Sequence, residues 1–200
     1  MNDRNIFLAI TGASGTVYGL RLIEELRRRG CTLTVAASCG GQLVCRDETG
    51  LDLSGEPDKA EQRLLSRLGL SDGVEMVASD DLFCYAASGS AAPDAMVVAP
   101  CSMGTLARIA CGISSSLIER VADVMLKEHR PLLLVPRETP LSEIHLENML
   151  RLARAGARII PAMPAFYHKP ETVDAMVDFM VGKILDQLGV SNELFTRWGS

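Results

Sequence analysis

The strongest constraint on how this chain can fold is a repeated pairing of two signals. Short, nearly uninterrupted apolar runs at residues 6–11, 32–38, 95–100 (AMVVAP) and 132–135 (LLLV) alternate with stretches whose apolar residues recur every three or four positions. A strand covered on one face alternates apolar and polar residues; a strand covered on both faces has no polar side to show. The intervening stretches read as helices. Residues 16–30 (TVYGLRLIEELRRRG) stop at Gly30, and residues 117–127 repeat Leu117, Ile118, Val121, Val124 and Met125 with the period of a buried face. Residues 173–188 carry the stripe Val173, Met176, Val177, Met180, Val181, Ile184 and Leu188. A short helix is expected after Gly40-Gly41, one within the polar excursion 50–73, one over CSMGTLARIACG, and one over 142–155 with Ser142 as its N-cap. A short strand is expected at 158–161. Buried strands alternating with helices imply one doubly wound α/β domain, Rossmann-like or flavodoxin-like, with a mostly parallel sheet and helices on both faces. That domain is expected to span residues 1–190, with 191–200 as a C-terminal tail.

Composition narrows the function. With 48% hydrophobic and 22% charged residues, the chain can fill a globular core. A formal charge of −5 gives no reason to expect nucleic acid as a partner. No apolar run approaches the roughly 20 residues of a membrane span. The first residues enter a strand at once, with no h-region or cleavage site, so a cytoplasmic protein without a signal peptide is expected. The six cysteines form no C-x-x-C and are expected to be buried free thiols. His129, His145 and His168 are too far apart for a local zinc motif, so no metal is expected.

Ligands of such sheets bind beyond the carboxyl ends of the strands, where the unusual loops of this chain fall. The first is Gly12-Ala13-Ser14-Gly15, with Gly19 one turn on. A glycine-rich helix start offers free N–H groups to an anion or a polar ring, although a plain tight turn would read the same way. The glycine spacing matches neither a P-loop nor G-x-G-x-x-G, and Ser38 stands where a dinucleotide site would want an acid; a mononucleotide fits better than NAD. Small residues and hydroxyls then cluster at Ala87-Ser88-Gly89-Ser90, at Pro100-Cys101-Ser102-Met103-Gly104-Thr105 and at residues 112–116. Each alone reads equally as helix capping. Arg120, Lys127, Arg137 and Lys183 are solvated cations taken singly, or together a metal-free clamp for a phosphate. Residues 164–170 (PAFYHKP) hold Tyr167 between prolines, as packed filler or as a wall that presents a hydroxyl. Last, PLLLVPRETP places Arg137 and Glu138 between prolines at a strand's carboxyl end, either a solvated turn or a catalytic loop.

In order, TGASG, ASGS, PCSMGT, LIERVADVMLKEHRPLLLVPRETP and PAFYHKP strongly resemble the UbiX/Pad1 family of flavin prenyltransferases, from the first strand to Arg197-Trp198. The likeness weakens only across about residues 45–80. The first loop and PCS are shared with flavin-binding cysteine decarboxylases; RETP and FYH-x-P select the prenyltransferases. The resemblance implies a flavin-binding domain that joins a dimethylallyl group from dimethylallyl monophosphate to N5 and C6 of reduced FMN. Phosphate is released without a metal, and the prenylated FMN serves a UbiD-type decarboxylase. It implies FMN contacts from Gly12, Ala13, Ser14, Ser38, Ser102, Met103, Gly104, Thr105 and Arg137. It implies prenyl-phosphate contacts from Tyr167 and Lys183, with Arg120, Lys127, Ser88, Gly89 and Glu138 close by. It also implies a homo-dodecamer with sites at subunit interfaces, so that Arg120 and Lys127 serve a neighbour.

Those residue types suit the chemistry. Breaking an allylic C–O bond builds charge on the phosphate, which clustered cations stabilise. A carboxylate there can carry a proton, so Glu138 is the expected acid/base, with Ser14 near the flavin N5. Two departures stand out: Cys39-Gly40-Gly41 where many relatives carry Lys-Ala-Ala, and Lys183 where several carry Arg. Two other functions fit an FMN-binding chain of this kind: a cysteine-type decarboxylase, or a non-catalytic flavin-binding subunit of a decarboxylase.

Overall fold

Each apolar run becomes a strand buried on both sides. In the computed structural model, which describes residues 4–199, the strands are β1 (Asn5–Ile10), β2 (Thr32–Ala37), β3 (Val74–Val77), β4 (Ala95–Cys101), β5 (Leu132–Pro136) and β6 (Arg158–Ile159). All pairings are parallel and the order is β3-β2-β1-β4-β5-β6, the Rossmann order. The helices are α1 (Thr16–Arg28), α2 (Cys39–Thr49), α3 (Pro57–Leu68), α4 (Met103–Ala110), α5 (Leu117–Lys127), α6 (Glu143–Arg154) and α7 (Val173–Leu188).

Side-chain parity divides the core in two. On β1, Ile6, Leu8 and Ile10 join the cluster that packs under α1, α3 and α7, while Phe7 and Ala9 join the one under α4, α5 and α6. On β5, Leu133 and Val135 face the first cluster, and Leu132 and Leu134 the second. Burying each such side chain is worth about 1.5–3 kcal/mol, and a shift of one residue in any central strand would exchange its two faces and force each set of side chains into the wrong cluster. Strand β4 breaks parity near its end. Its pairing with β5 shifts between Val98 and Cys101, and Cys101 packs with Met96 and Val98 instead of with Ala99.

Several elements differ from expectation. The helix after β2 takes Gly40 and Gly41 into its own first turn and runs for 11 residues, longer than a short helix. The excursion 50–73 holds α3 as expected, and directly after it β3, which the sequence did not signal, pairs with β2 as an edge strand. Ser142 does cap α6, completed by a reciprocal contact from His145. Cys31, Cys45 and Cys101 are buried, but Cys39 and Cys111 are exposed and Cys84 lies between. Among the described residues, no helix is long and apolar enough to cross a membrane.

Gly19 sets how closely α1 lies on the sheet: a Cβ there would stand 2.4 Å from the carbonyl oxygen of Ala99. Gly19→Ala must therefore push α1 off β4, at an expected loss of about 1–3 kcal/mol. Chemical denaturation would read this as a lower midpoint at unchanged slope.

Candidate active site

From β1 the chain runs outward through β2 to β3 and then crosses back to β4 on the other side of β1, so strand order reverses there and a crevice opens between the carboxyl ends of β1 and β4. Thr11 joins its two sides. Its buried hydroxyl donates to Pro100 O at 2.9 Å and accepts from Ser102 N at 2.8 Å, and its own N–H donates to Pro100 O at 3.2 Å. The loop after β2 closes in because two glycines meet: a Cβ on Gly12 would lie 3.2 Å from Gly40 Cα.

Three helices therefore begin around one opening. Ser38 caps α2 by accepting from Gly41 N at 3.1 Å, and Ser102 caps α4 by accepting from Thr105 N at 3.2 Å. The start of α1 is capped from a distance. The carboxylate of Glu48, on α2, accepts from Gly15 N at 3.0–3.1 Å and from Thr16 N at 3.0 Å. Partial burial pushes the Glu48 pKa up, but the Ser14 side chain and these backbone donors outweigh it and hold the group below its ordinary 4.5.

The opening is a cleft of about 450 Å³. Gly12, Ala13, Ser14, Ser102, Met103, Arg137 and Glu138 line it, together with Val44, Asp47 and Glu48. Arg137 and Glu138 do not face each other. Arg137 Nε donates to Ser14 O at 3.1 Å, while a Glu138 oxygen accepts from the amide of Thr139 at 3.0 Å. The Arg137 cation also works against the burial that raises the Tyr18 pKa. Cys101, fully buried at the end of β4, has its thiol pushed up to about 12 by desolvation and is no nucleophile at neutral pH. Hydroxyls, helix starts, a glycine cradle and one guanidinium suit a planar, hydrogen-bonding ring that carries an anion.

The other expected residues gather elsewhere, in two groups. Arg120 Nε donates to Ala87 O at 3.1 Å, Ser88 and Ser90 share a 3.0 Å hydrogen bond, and Gly89 lies under Lys127 and Glu128. A Cβ on Gly89 would come within 3.3 Å of Lys127 Nζ. Gly89 lies in the segment that enters β4 and Ser102 in the one that leaves it, with about 20 Å of strand between Ala95 and Cys101. In the third group, Tyr167 meets Phe179 at 5.8 Å and Trp198 at 5.2 Å between ring centres, and Lys183 is exposed on α7 one turn beyond Phe179. A separate groove of about 530 Å³ between α1 and α7 holds none of the expected residues, and its Arg21, Glu24 and Asp178 are already paired.

Reading the sequence missed Val44, Asp47 and Glu48. The signal was present: a helix reaching Thr49 sets positions 44, 47 and 48 on one face.

Comparison with known proteins agrees with this geometry. A family model described as Flavoprotein matches residues 1–185. A flavin prenyltransferase UbiX from Halalkalibacterium halodurans is 49% identical over 193 residues, which are 96% of this chain and 92% of that protein. The chain belongs to the UbiX flavin prenyltransferase family. Among solved structures of UbiX proteins, AnUbiX (PadA1) in complex with FMN and dimethylallyl pyrophosphate superposes with a TM-score of 0.87 at 39% identity, covering 100% of this chain and 99% of that one. A dodecameric FMN-dependent UbiX-like decarboxylase from Escherichia coli O157:H7 superposes with a TM-score of 0.87 at 38% identity, covering 98% and 100%. Both likenesses span the cleft loops of this UbiX-family chain and its α5 and α7 alike.

The lowered Glu48 pKa links this site to stability. A carboxylate depressed in the folded state contributes stability above its unfolded pKa and loses it as pH falls through the folded value. Wild type should therefore melt higher than Glu48→Gln at pH 7, and the gap should close as pH drops below 4.5. Paired melting curves across that range would check it.

Proposed function

We propose that this chain is a flavin prenyltransferase, joining the dimethylallyl group of dimethylallyl monophosphate to N5 and C6 of reduced FMN and releasing phosphate. One observation carries the reading most: Arg137 is tied to the Ser14 backbone while Glu138, its neighbour, faces the same cleft unpaired with it. Two opposite charges held apart at a strand end are arranged for ligands, not for each other.

Gly12, Ala13, Ser14, Ser38, the Ser102–Thr105 turn and Arg137 would hold the flavin, whose reduced ring supplies the nucleophilic atoms. Ser14, with Glu48 beside it, orients a hydroxyl at the cleft. Glu138 would carry protons in this site: N5 and C6 each lose one, and the departing phosphate oxygen and the alkene carbon beside the ring-closing carbon each take one. Arg120, Lys127, Tyr167 and Lys183 take the prenyl phosphate, and the aromatic group around Tyr167 keeps water from the allylic carbon. Within one chain, the Gly89 and Lys127 cluster lies at the far end of β4 from the cleft. We therefore assign Arg120 and Lys127 to the site of an adjoining copy, in a homo-oligomer like the dodecameric relative. Cytoplasmic location and a UbiD-type decarboxylase as recipient of the product complete the proposal. The cysteine-type decarboxylase reading leaves these cations and Glu138 without a task.

Anaerobic, metal-free incubation with reduced FMN and dimethylallyl monophosphate should yield the prenyl adduct by mass spectrometry and one phosphate per flavin. Bound FMN with neither product would overturn the proposal. Glu138→Gln should slow adduct formation by about 10²-fold or more, with FMN affinity within twofold of wild type.

The shared site has its own signature. Arg137→Ala and Lys127→Ala chains, each nearly inactive alone, should regain about a quarter of wild-type activity when unfolded and reassembled as a mixture, because random pairing leaves that share of sites intact. No recovery, in mixtures shown by native mass spectrometry to contain both chains, would place both residues in one chain's site.

A further inference from the structure

One buried carboxylate stands outside the chemistry above. Glu119, 2% exposed, lies in the first turn of α5. One of its oxygens accepts from Ser115 N at 2.9 Å, Ser115 Oγ at 2.7 Å and Ser116 N at 3.1 Å, and the other pairs with Arg108 Nε. Burial raises its pKa, but these donors prevail and keep it below 4.5, so it is ionised at neutral pH. A buried charge is tolerated only when it is saturated in this way, and the saturation fixes Arg108 in place.

Arg108 uses its other arm on the turn that begins α4. Its Nη2 donates to Thr105 Oγ1 at 3.3 Å, and Ser102 Oγ donates to the same oxygen at 3.0 Å. A hydroxyl has one proton and two lone pairs. With both lone pairs of Thr105 taken, Ser102 has given its proton to Thr105, and it accepts Thr105 N at 3.2 Å. One lone pair of Ser102 is left, and Ser102 lines the cleft.

We propose that Arg108 and Glu119 are positioning residues for the flavin site, fixing the Ser102 hydroxyl so that it meets the ligand as a hydrogen-bond acceptor. The partner it suits is an N–H or O–H of the flavin ring or its ribityl chain. Taking FMN as that ligand rests on the flavin reading above. The same relay runs from the α4 turn to α5, the helix that carries Arg120, so the flavin end and the phosphate-clamp helix share one ionic link. Neither Arg108 nor Glu119 is among the residues that line the cleft.

The test uses Arg108, whose side chain is 45% exposed, because replacing Glu119 would also remove the cap of α5. Arg108→Met keeps the stem and loses the donors; Arg108→Lys keeps the charge and a single donor nitrogen. FMN affinity by fluorescence quenching, the absorption spectrum of bound flavin and the melting temperature are measured for wild type and both variants. FMN affinity should fall about five- to tenfold in Arg108→Met, with altered flavin bands. Arg108→Lys should recover most of that loss at a melting temperature within 2–3 °C of the Met variant, roughly the shift of a 1 kcal/mol change. The proposal is overturned if Arg108→Met stays within twofold of wild type with an unchanged spectrum, or if the Lys variant binds as poorly as the Met variant. A protein that binds FMN normally and makes no adduct would overturn the transferase reading and leave this test intact.

Discussion

Everything else in the molecule depends on β1 and β4 being buried on both faces. Ile6, Leu8 and Ile10 on one side of β1 and Phe7 and Ala9 on the other leave no side of the strand for solvent, so helices must cover the sheet twice. Parallel strands then bring all their exits to one rim. The loops after β1, β2, β4 and β5 must gather there, and Thr11 ties two of them together through Pro100 and Ser102. The cleft is thus a by-product of core burial, furnished afterwards with hydroxyls and charges.

The charges are arranged by backbone more than by each other. Arg137 is held by the Ser14 carbonyl, Glu138 by the Thr139 amide, Glu48 by the amides of Gly15 and Thr16. Contacts of this kind keep full charges available to a ligand, whereas direct ion pairs would cancel them. Buried carboxylates away from the cleft behave differently. Glu25 pairs directly with three arginines, and Glu119 with Arg108 besides its contacts to Ser115 and Ser116, as groups with a scaffolding task should.

Much of this was legible in the sequence. Continuous apolar runs named the central strands, since two-sided burial leaves its mark on every residue, and α5 and α7 were readable from one-sided stripes. Strand β3 was not, because a four-residue edge strand that carries Glu75 alternates too briefly to stand out from a polar excursion. The loops that line the cleft were visible through glycines and hydroxyls, which few other positions require. Glu48 was overlooked because the helix after β2 was expected to be short; a helix that reaches Thr49 sets it on one face with Val44 and Asp47. Arg120 and Lys127 were visible as cations on one helix, and only the resemblance set them apart from their own chain's cleft: sequence spacing orders side chains along one helix and says nothing of which end of the sheet that helix serves.

Glu48 has one more consequence. In most sheets of this order the first helix start is the seat of a ligand phosphate, where free amides meet a dipole's positive end. Here an internal carboxylate already sits on the amides of Gly15 and Thr16. A phosphate arriving there would gain little from the dipole and would face a charge of its own sign. The fold keeps the dinucleotide-binding architecture while setting a negative charge of its own where a pyrophosphate customarily sits.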